Sequence, residues 1–395
     1  MLSPKTLAAL CLFLCLPALS QQTVTQPPEA RSVTTWEPSF GLDNELYPSF
    51  VLATSGRMLK VPANRRNYFG DPLGLAAVSI RSEAPNAQVH VEIQIEGLTQ
   101  VSAIDATLPE AGQYKIAPLL RYDYSKLAGI EQSIPASVTY SVRLNGADLG
   151  QQTLSIRVRS VNDVPFEMVG PDGKQQDFSF LFAGYVNESH PFVQTVYQKA
   201  LNWHAVNDFA GYQRGPQDVR LQVFALWNVL QRDHIHYSSI TTASAASPSG
   251  HVHSQAVRFI DQSLRSQQAN CADGSVLFAS LLYKIGIDPI LVIKPGHMFV
   301  GYYLDANHKQ FEFLETTMLG AGDQPGVHNI AFSPVLHPVQ RSESWQQFVQ
   351  AVQVATNTFT QEVGPAIQQH RPQYHVIDVA KARQAGVNAI PRPVR

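Results

Sequence analysis

Charge is scarce in this chain. Only 15 % of its 395 residues are charged, and 29 basic against 31 acidic side chains leave a formal net charge of −2. Nothing in that balance favours a polyanion, so no nucleic-acid partner is expected. Long apolar runs are missing as well. The one near the start is shorter than the roughly 20 residues of a membrane span, and no later stretch reaches that length. No integral membrane segment is therefore expected once a leader is removed. Cysteine is the rarest of the reactive residues, with three copies at Cys11, Cys15 and Cys271.

Residues 1–20 read as a leader. Lys5 supplies a positive start, 6–16 is apolar, and Ala18-Leu19-Ser20 is a cleavage triplet. Leu10 and Leu14 stand before Cys11 and Cys15, where a lipid-modified leader carries a small residue. The expectation is an exported protein, periplasmic or extracellular, that keeps Cys271 alone. An oxidising compartment punishes a stray thiol. Cys271 is then either a buried thiol acting as a small hydrophobe or a reactive one.

At this length two domains are expected, each with chain enough for a core. Residues 21–48 are rich in Gln, Thr and Pro and read as a flexible lead-in. From 49 to 168 the signals are those of strands. VHVEIQIEGL, SVTYSVRLNG and TLSIRVRSV alternate with period two between Gly, Asn-Gly and Pro punctuation, and 114–120 is a weaker candidate. This reads as an all-β, Ig-like sandwich without a catalytic cluster, suited to binding, spacing or docking. Pro171-Asp172-Gly173 is a linker turn. Residues 175–395 read as α+β, with helices at 191–203, 218–232, 254–266 and 343–361. The last of these buries Trp345, Phe348, Val349 and Val352. A strand and short helix close the chain at 374–391.

The informative stretch is 270–317, NCADGSVLFASLLYKIGIDPILVIKPGHMFVGYYLDANHKQFEFLETT. Asn270 is a good N-cap and Asp273 sits at N3, so a helix should open at Cys271 and stop at Gly286. Strands follow at 290–293, 297–304 and 311–316, with a turn at Pro295-Gly296. A thiol thus stands at a helix N-terminus, where unpaired N–H groups and the helix dipole favour thiolate. An imidazole, His297, opens one strand, and a carboxylate, Glu315, lies near the end of its neighbour. That is nucleophile, base and orienter in order, so Cys271, His297 and Glu315 are the candidate catalytic residues. Glu312 is a rival acid, but its odd offset from Glu315 lets only one of the two face His297.

NCADGSVLFASLLYKIGIDP, PGHMFVGYY and FLETT together resemble the core of the transglutaminase-like superfamily of cysteine enzymes, in its bacterial branch. The resemblance is specific over 270–317 and looser over 180–393. It implies a papain-like domain in which the Cys opens a helix packed on an antiparallel sheet. His and an acid then follow on successive strands. The acid is commonly Asp, so Glu315 departs from the pattern by one methylene. The implied activity is thiol-based acyl chemistry on a peptide or protein amide, as a peptidase, amidase or transglutaminase, with cell-wall or envelope material as substrate. The competing class is a non-catalytic envelope binding or structural protein built on a silent domain of this kind.

His234 and His236, and His251 and His253, have strand-like i, i+2 spacing. No carboxylate or cysteine completes a ligand set around them, so no metal and no cofactor is assigned. The resemblance also implies a side-chain oxyanion donor upstream of the nucleophile, for which Gln255 is a candidate and Gln267 and Gln268 are rivals.

Overall fold

The computed structural model describes residues 36–56, 66–170, 173–238, 250–320 and 342–391. The leader at 1–20, the lead-in up to residue 35 and most of 241–250 lie outside the described residues.

Among the described residues the first nine strands are β1 (Trp36–Phe40), β2 (Glu45–Leu46), β3 (Tyr68–Gly70), β4 (Ala76–Ser82), β5 (Ala87–Ile95), β6 (Ser102–Leu108), β7 (Gly112–Ala117), β8 (Ile134–Leu144) and β9 (Ala147–Val158). The short helices Pro48–Thr54 and Tyr124–Ala128 lie between them, so the region is not all β as expected. The strands form one sheet in the order β1-β4-β7-β3 and another in the order β2-β9-β8-β5-β6. The three alternating runs are β5, β8 and β9, paired antiparallel in register. Alternation places Val89, Val91 and Ile93 of β5 and Val138, Tyr140 and Val142 of β8 on the buried side. There they share a core with Val78, Ile80 and Ile116 of the other sheet. Each such aliphatic side chain contributes roughly 1.5–3 kcal/mol when fully buried. The Tyr140 hydroxyl donates to the Ser39 carbonyl, and the Trp36 indole to that of Leu149, so the two sheets are also tied by hydrogen bonds.

Part of the expected lead-in is therefore structured. Trp36–Phe40 pairs with β4, and Trp36 and Phe40 are buried. The Pro and polar residues around them masked a strand whose stability comes from pairing. Two further departures from a plain antiparallel arrangement are β2 on β9 and β3 on β7, both parallel.

The chain then mixes helices and strands. β10 (Asp163–Val169), β11 (Gln175–Asp177) and β13 (Val252–Ala256) form a three-stranded sheet in the order β11-β10-β13, while β12 (His236–Tyr237) and β14 (Gln268–Ala269) pair in parallel. β10 falls within the span expected for the first domain and β13 within that of the second. Buried residues of both spans belong to one hydrophobic cluster. The helix expected at 254–266 is corrected here. Val164↔Gln255 and Pro165↔Ser254 pairing holds the first part as strand, and only Ile260–Ser266 is helical.

The helices Pro191–Asn202 and Pro216–Arg232 form close to their expected bounds, the first capped by His190. The helix Glu343–Thr358 also forms, with Phe348 buried and Val349, expected inside, 42 % exposed. The last sheet is antiparallel, ordered β17 (Phe311–Leu314), β16 (His297–Tyr303), β15 (Pro289–Lys294), β18 (His375–Asp378). The helix Cys271–Lys284 packs on β15 and β16. The whole is a mixed α and β architecture. No helix among the described residues is long and apolar enough to cross a membrane.

Candidate active site

The Cys271 helix opens where its sequence directs. The Asn270 side chain accepts from the Asp273 N–H at 2.8 Å, and Asp273 accepts from the Asn270 N–H at 3.0 Å. This reciprocal box fixes the first turn and leaves Cys271 at N1, half-buried. Asp273 itself is fully buried, and burial pushes its carboxyl above the usual range. The Arg258 backbone N–H (2.7 Å) and guanidinium (3.3 Å) bind it as well. The helix has room to approach the strand ends because residue 274 is glycine. A Cβ there would stand 2.8 Å from the Thr316 hydroxyl and 3.1 Å from its Cβ.

His297 opens β16 after the Pro295-Gly296 turn, where Gly296 takes φ +71°. Its Nε2 lies 2.7 Å from Glu315 Oε2, leaving Nδ1 as the ring nitrogen available to the Cys271 thiol, which lines the same cleft. Glu315 follows the last residue of β17 and caps a short 3-10 turn, Thr316–Met318. Its Oε1 accepts from the Thr317 N–H at 3.1 Å and the Thr317 hydroxyl at 2.6 Å. The carboxylate is thus held on both oxygens, and its position is not left to rotamer choice.

The electrostatics follow from these contacts. Burial works against an imidazolium at His297. The interactions with Cys271 and Glu315 outweigh it and raise the ring to about 9. Burial likewise works against the Glu315 carboxylate, and the His297 and Thr317 hydrogen bonds more than compensate, holding it below the usual range. An imidazolium between a sulfur and a carboxylate is the arrangement in which a thiolate nucleophile is at its readiest.

Glu312 is elsewhere. Its side chain is bound by the Arg220 guanidinium and accepts from the Tyr302 hydroxyl at 2.8 Å. The strand alternation that separated the two acids in sequence separates them here.

Cys271 and His297 line one cleft of about 370 Å³. Gln255 lines it too, with its amide donating to the Ala256 carbonyl at 2.9 Å. Gln267 instead reaches the Asp233 carbonyl. The opposite wall was not read from sequence. Phe166 and Glu167 of β10, Phe182, His253, Lys294 and His375 also line the cleft. Only His253 had drawn notice, for its spacing. Phe166 and Glu167 reach it through the β10–β13 pairing and His375 through the β15–β18 pairing, each joining residues more than 80 positions apart, which leaves no local pattern.

The histidine pairs are dispersed. His251 lies 3.6 Å from Asp43 and His253 3.8 Å from Glu167, while the His234 and His236 rings sit 6.2 Å apart between centroids. Among the described residues no group of three or more His, Cys, Asp or Glu is placed to hold a metal ion. Compared with known proteins, the chain matches no family model, no curated protein and no solved structure.

Proposed function

We propose that this chain is a thiol-dependent acyl-transfer or amide-hydrolysing enzyme, with an Ig-like N-terminal sandwich and a transglutaminase-like, papain-type catalytic region. Cys271 is the nucleophile, His297 the acid and base, and Glu315 the orienter. The observation that carries this reading is a single ring, His297, held by Glu315 at 2.7 Å and lining the same cleft as the thiol of Cys271. Sulfur attacks the substrate carbonyl and forms a C–S bond. The Cys271 N–H at the first helical position and the Gln255 amide are the donors for the resulting oxyanion. His297 protonates the departing amine as the C–N bond breaks, leaving a thioester. Water or a second amine, deprotonated by the same ring, then attacks the thioester and releases acid or transferred amide. Together with the leader pattern at 1–20, this makes a cell-wall or envelope peptide the natural substrate.

The test uses full-length protein and p-nitrophenyl acetate. A burst of p-nitrophenolate equal to the enzyme concentration is expected, with one acetyl group found on Cys271 by mass spectrometry. His297→Ala should abolish the burst. Faster thioester decay with added glycinamide than in water alone marks transfer over hydrolysis. Acetylation that is absent, or that is unchanged in His297→Ala, would leave the silent binding-protein reading standing.

A further inference from the structure

The second wall of the cleft carries a charge that the chemistry above does not use. β10 is bulged where it meets the cleft. Pro165 pairs with Ser254 and Glu167 with His253, so Phe166 is an extra residue on its strand. Bulges bend a strand and re-aim its side chains. Here Phe166 and Glu167 both face the cleft that holds Cys271 and His297.

Apart from His253, the basic groups of this cleft each stand within 3.3 Å of an acidic partner. His297 has Glu315 at 2.7 Å, Lys294 has Glu362 at 2.7 Å, and His375 has Asp177 at 3.3 Å. Glu167 differs. Its ion-pair partner among the described residues is His253 at 3.8 Å, beyond hydrogen-bond distance, and a histidine is not a permanent cation. The Glu167 side chain is only 14 % exposed, so little water is available to solvate it. A mostly buried carboxylate in that position gains from any cation brought to it. Beside it are aromatic faces, Phe166 and Phe182, with centroids 6.3 Å apart. Glu167 also lines an adjoining groove with Asp177 and Tyr374, which gives a chain-like substrate somewhere to continue.

We infer that Glu167 is a specificity residue that receives an ammonium or guanidinium group of the substrate, carried close to the scissile amide. Phe166 and Phe182 cover the aliphatic stem of that group. The inference rests on the acyl-transfer reading and names its substrate class, a basic peptide or an amine-bearing acyl donor.

The test is charge-selective labelling of Cys271 in the full-length protein. The probes are N-(2-aminoethyl)chloroacetamide, which is cationic, and the similarly sized neutral N-propylchloroacetamide. In each case sulfur displaces chloride and forms a thioether, and rates are read by intact mass. Glu167→Gln should lower the cationic-to-neutral rate ratio about fivefold, the factor one charge pair at about 4 Å gives even in water, and leave the neutral rate unchanged. In the unsubstituted protein, n-butylammonium should slow neutral labelling more than n-butanol does, which tests the site without relying on a variant. A rate ratio unaffected by Glu167→Gln, or equal protection by the two butyl compounds, would overturn the inference while the acyl-transfer reading stands. Failure of both probes to label Cys271 would overturn both.

Discussion

Replacing Glu315 by glutamine changes one atom and removes one charge, and its effect can be worked from the contacts. The ring of His297 is raised from 6.5 to about 9, a difference of about 2.5 pH units or roughly 3 kcal/mol. With the side chain 25 % exposed, solvent screens part of this, and Cys271 shares the remainder. The carboxylate is left with about 1–2 kcal/mol, so the His297 midpoint should fall by about one pH unit in Glu315→Gln. The amide also cannot accept from His297 and Thr317 on both of its ends, which leaves one donor unpaired. The pH dependence has a definite sign. A raised histidine contributes stability in full below its unfolded value of 6.5, and loses it as pH rises through about 9. A depressed carboxylate contributes above its unfolded value of 4.5, and loses it as pH falls through its lower folded value. The stability deficit of Glu315→Gln should therefore be largest between about pH 5 and 6.5, and shrink toward pH 9.5. The assay is NMR titration of 13C-histidine protein, with His297 assigned from its own substitution, alongside urea unfolding at pH 6 and 9.5. Glu312→Gln, whose carboxylate serves Arg220 and Tyr302, is the control and should leave the His297 midpoint in place. A midpoint still near 9 in Glu315→Gln would refute the coupling.

Two further substitutions probe what holds the site. Gly274→Ala drives a methyl group toward Thr316; overpacking of this kind costs about 1–3 kcal/mol. Because Thr316 follows Glu315, acylation of Cys271 should slow as the melting temperature falls, and a variant with unaltered kinetics would sink the argument. Arg159 is fully buried, 3.1 Å from both Glu45 and Asp163. Arg159→Ala leaves two acids without their cation and should cost about 3–5 kcal/mol in urea unfolding, and a loss below about 1 kcal/mol would count against the network.

What could be read from sequence was local. The capping box at Asn270 and Asp273 and the alternation in β5, β8 and β9 are carried by residues within a few positions of one another. So is the parity that separates Glu312 from Glu315. What escaped depends on distant partners. β4 begins with two alanines, and β6 alternates weakly because it is an edge strand with one solvated face. β13 reads as the start of a helix until β10, about 90 residues away, supplies its hydrogen bonds. Val349 fits a helical stripe, but the face that packs is set by Phe348, Ala351 and Ala355. The far wall of the cleft was invisible for the same reason as β13, since Glu167 and His375 have nothing in their immediate sequence to mark them.

Residues 375–390 close the structure in more than one place. β18 adds the last strand beside β15 and brings His375 to the cleft. The Asn388 N–H then bonds to the Ala53 carbonyl, and the Ile390 N–H to that of Gly184. On a ribosome these residues emerge after every group they bind. Cys271 is translated roughly a hundred residues before its cleft can be completed, and Ala53 waits more than three hundred residues for its partner. Contacts of such separation make folding slow and leave apolar surface open meanwhile. They also leave the Cys271 cleft incomplete until His375 has been made, so the activity proposed for it would wait on that later segment.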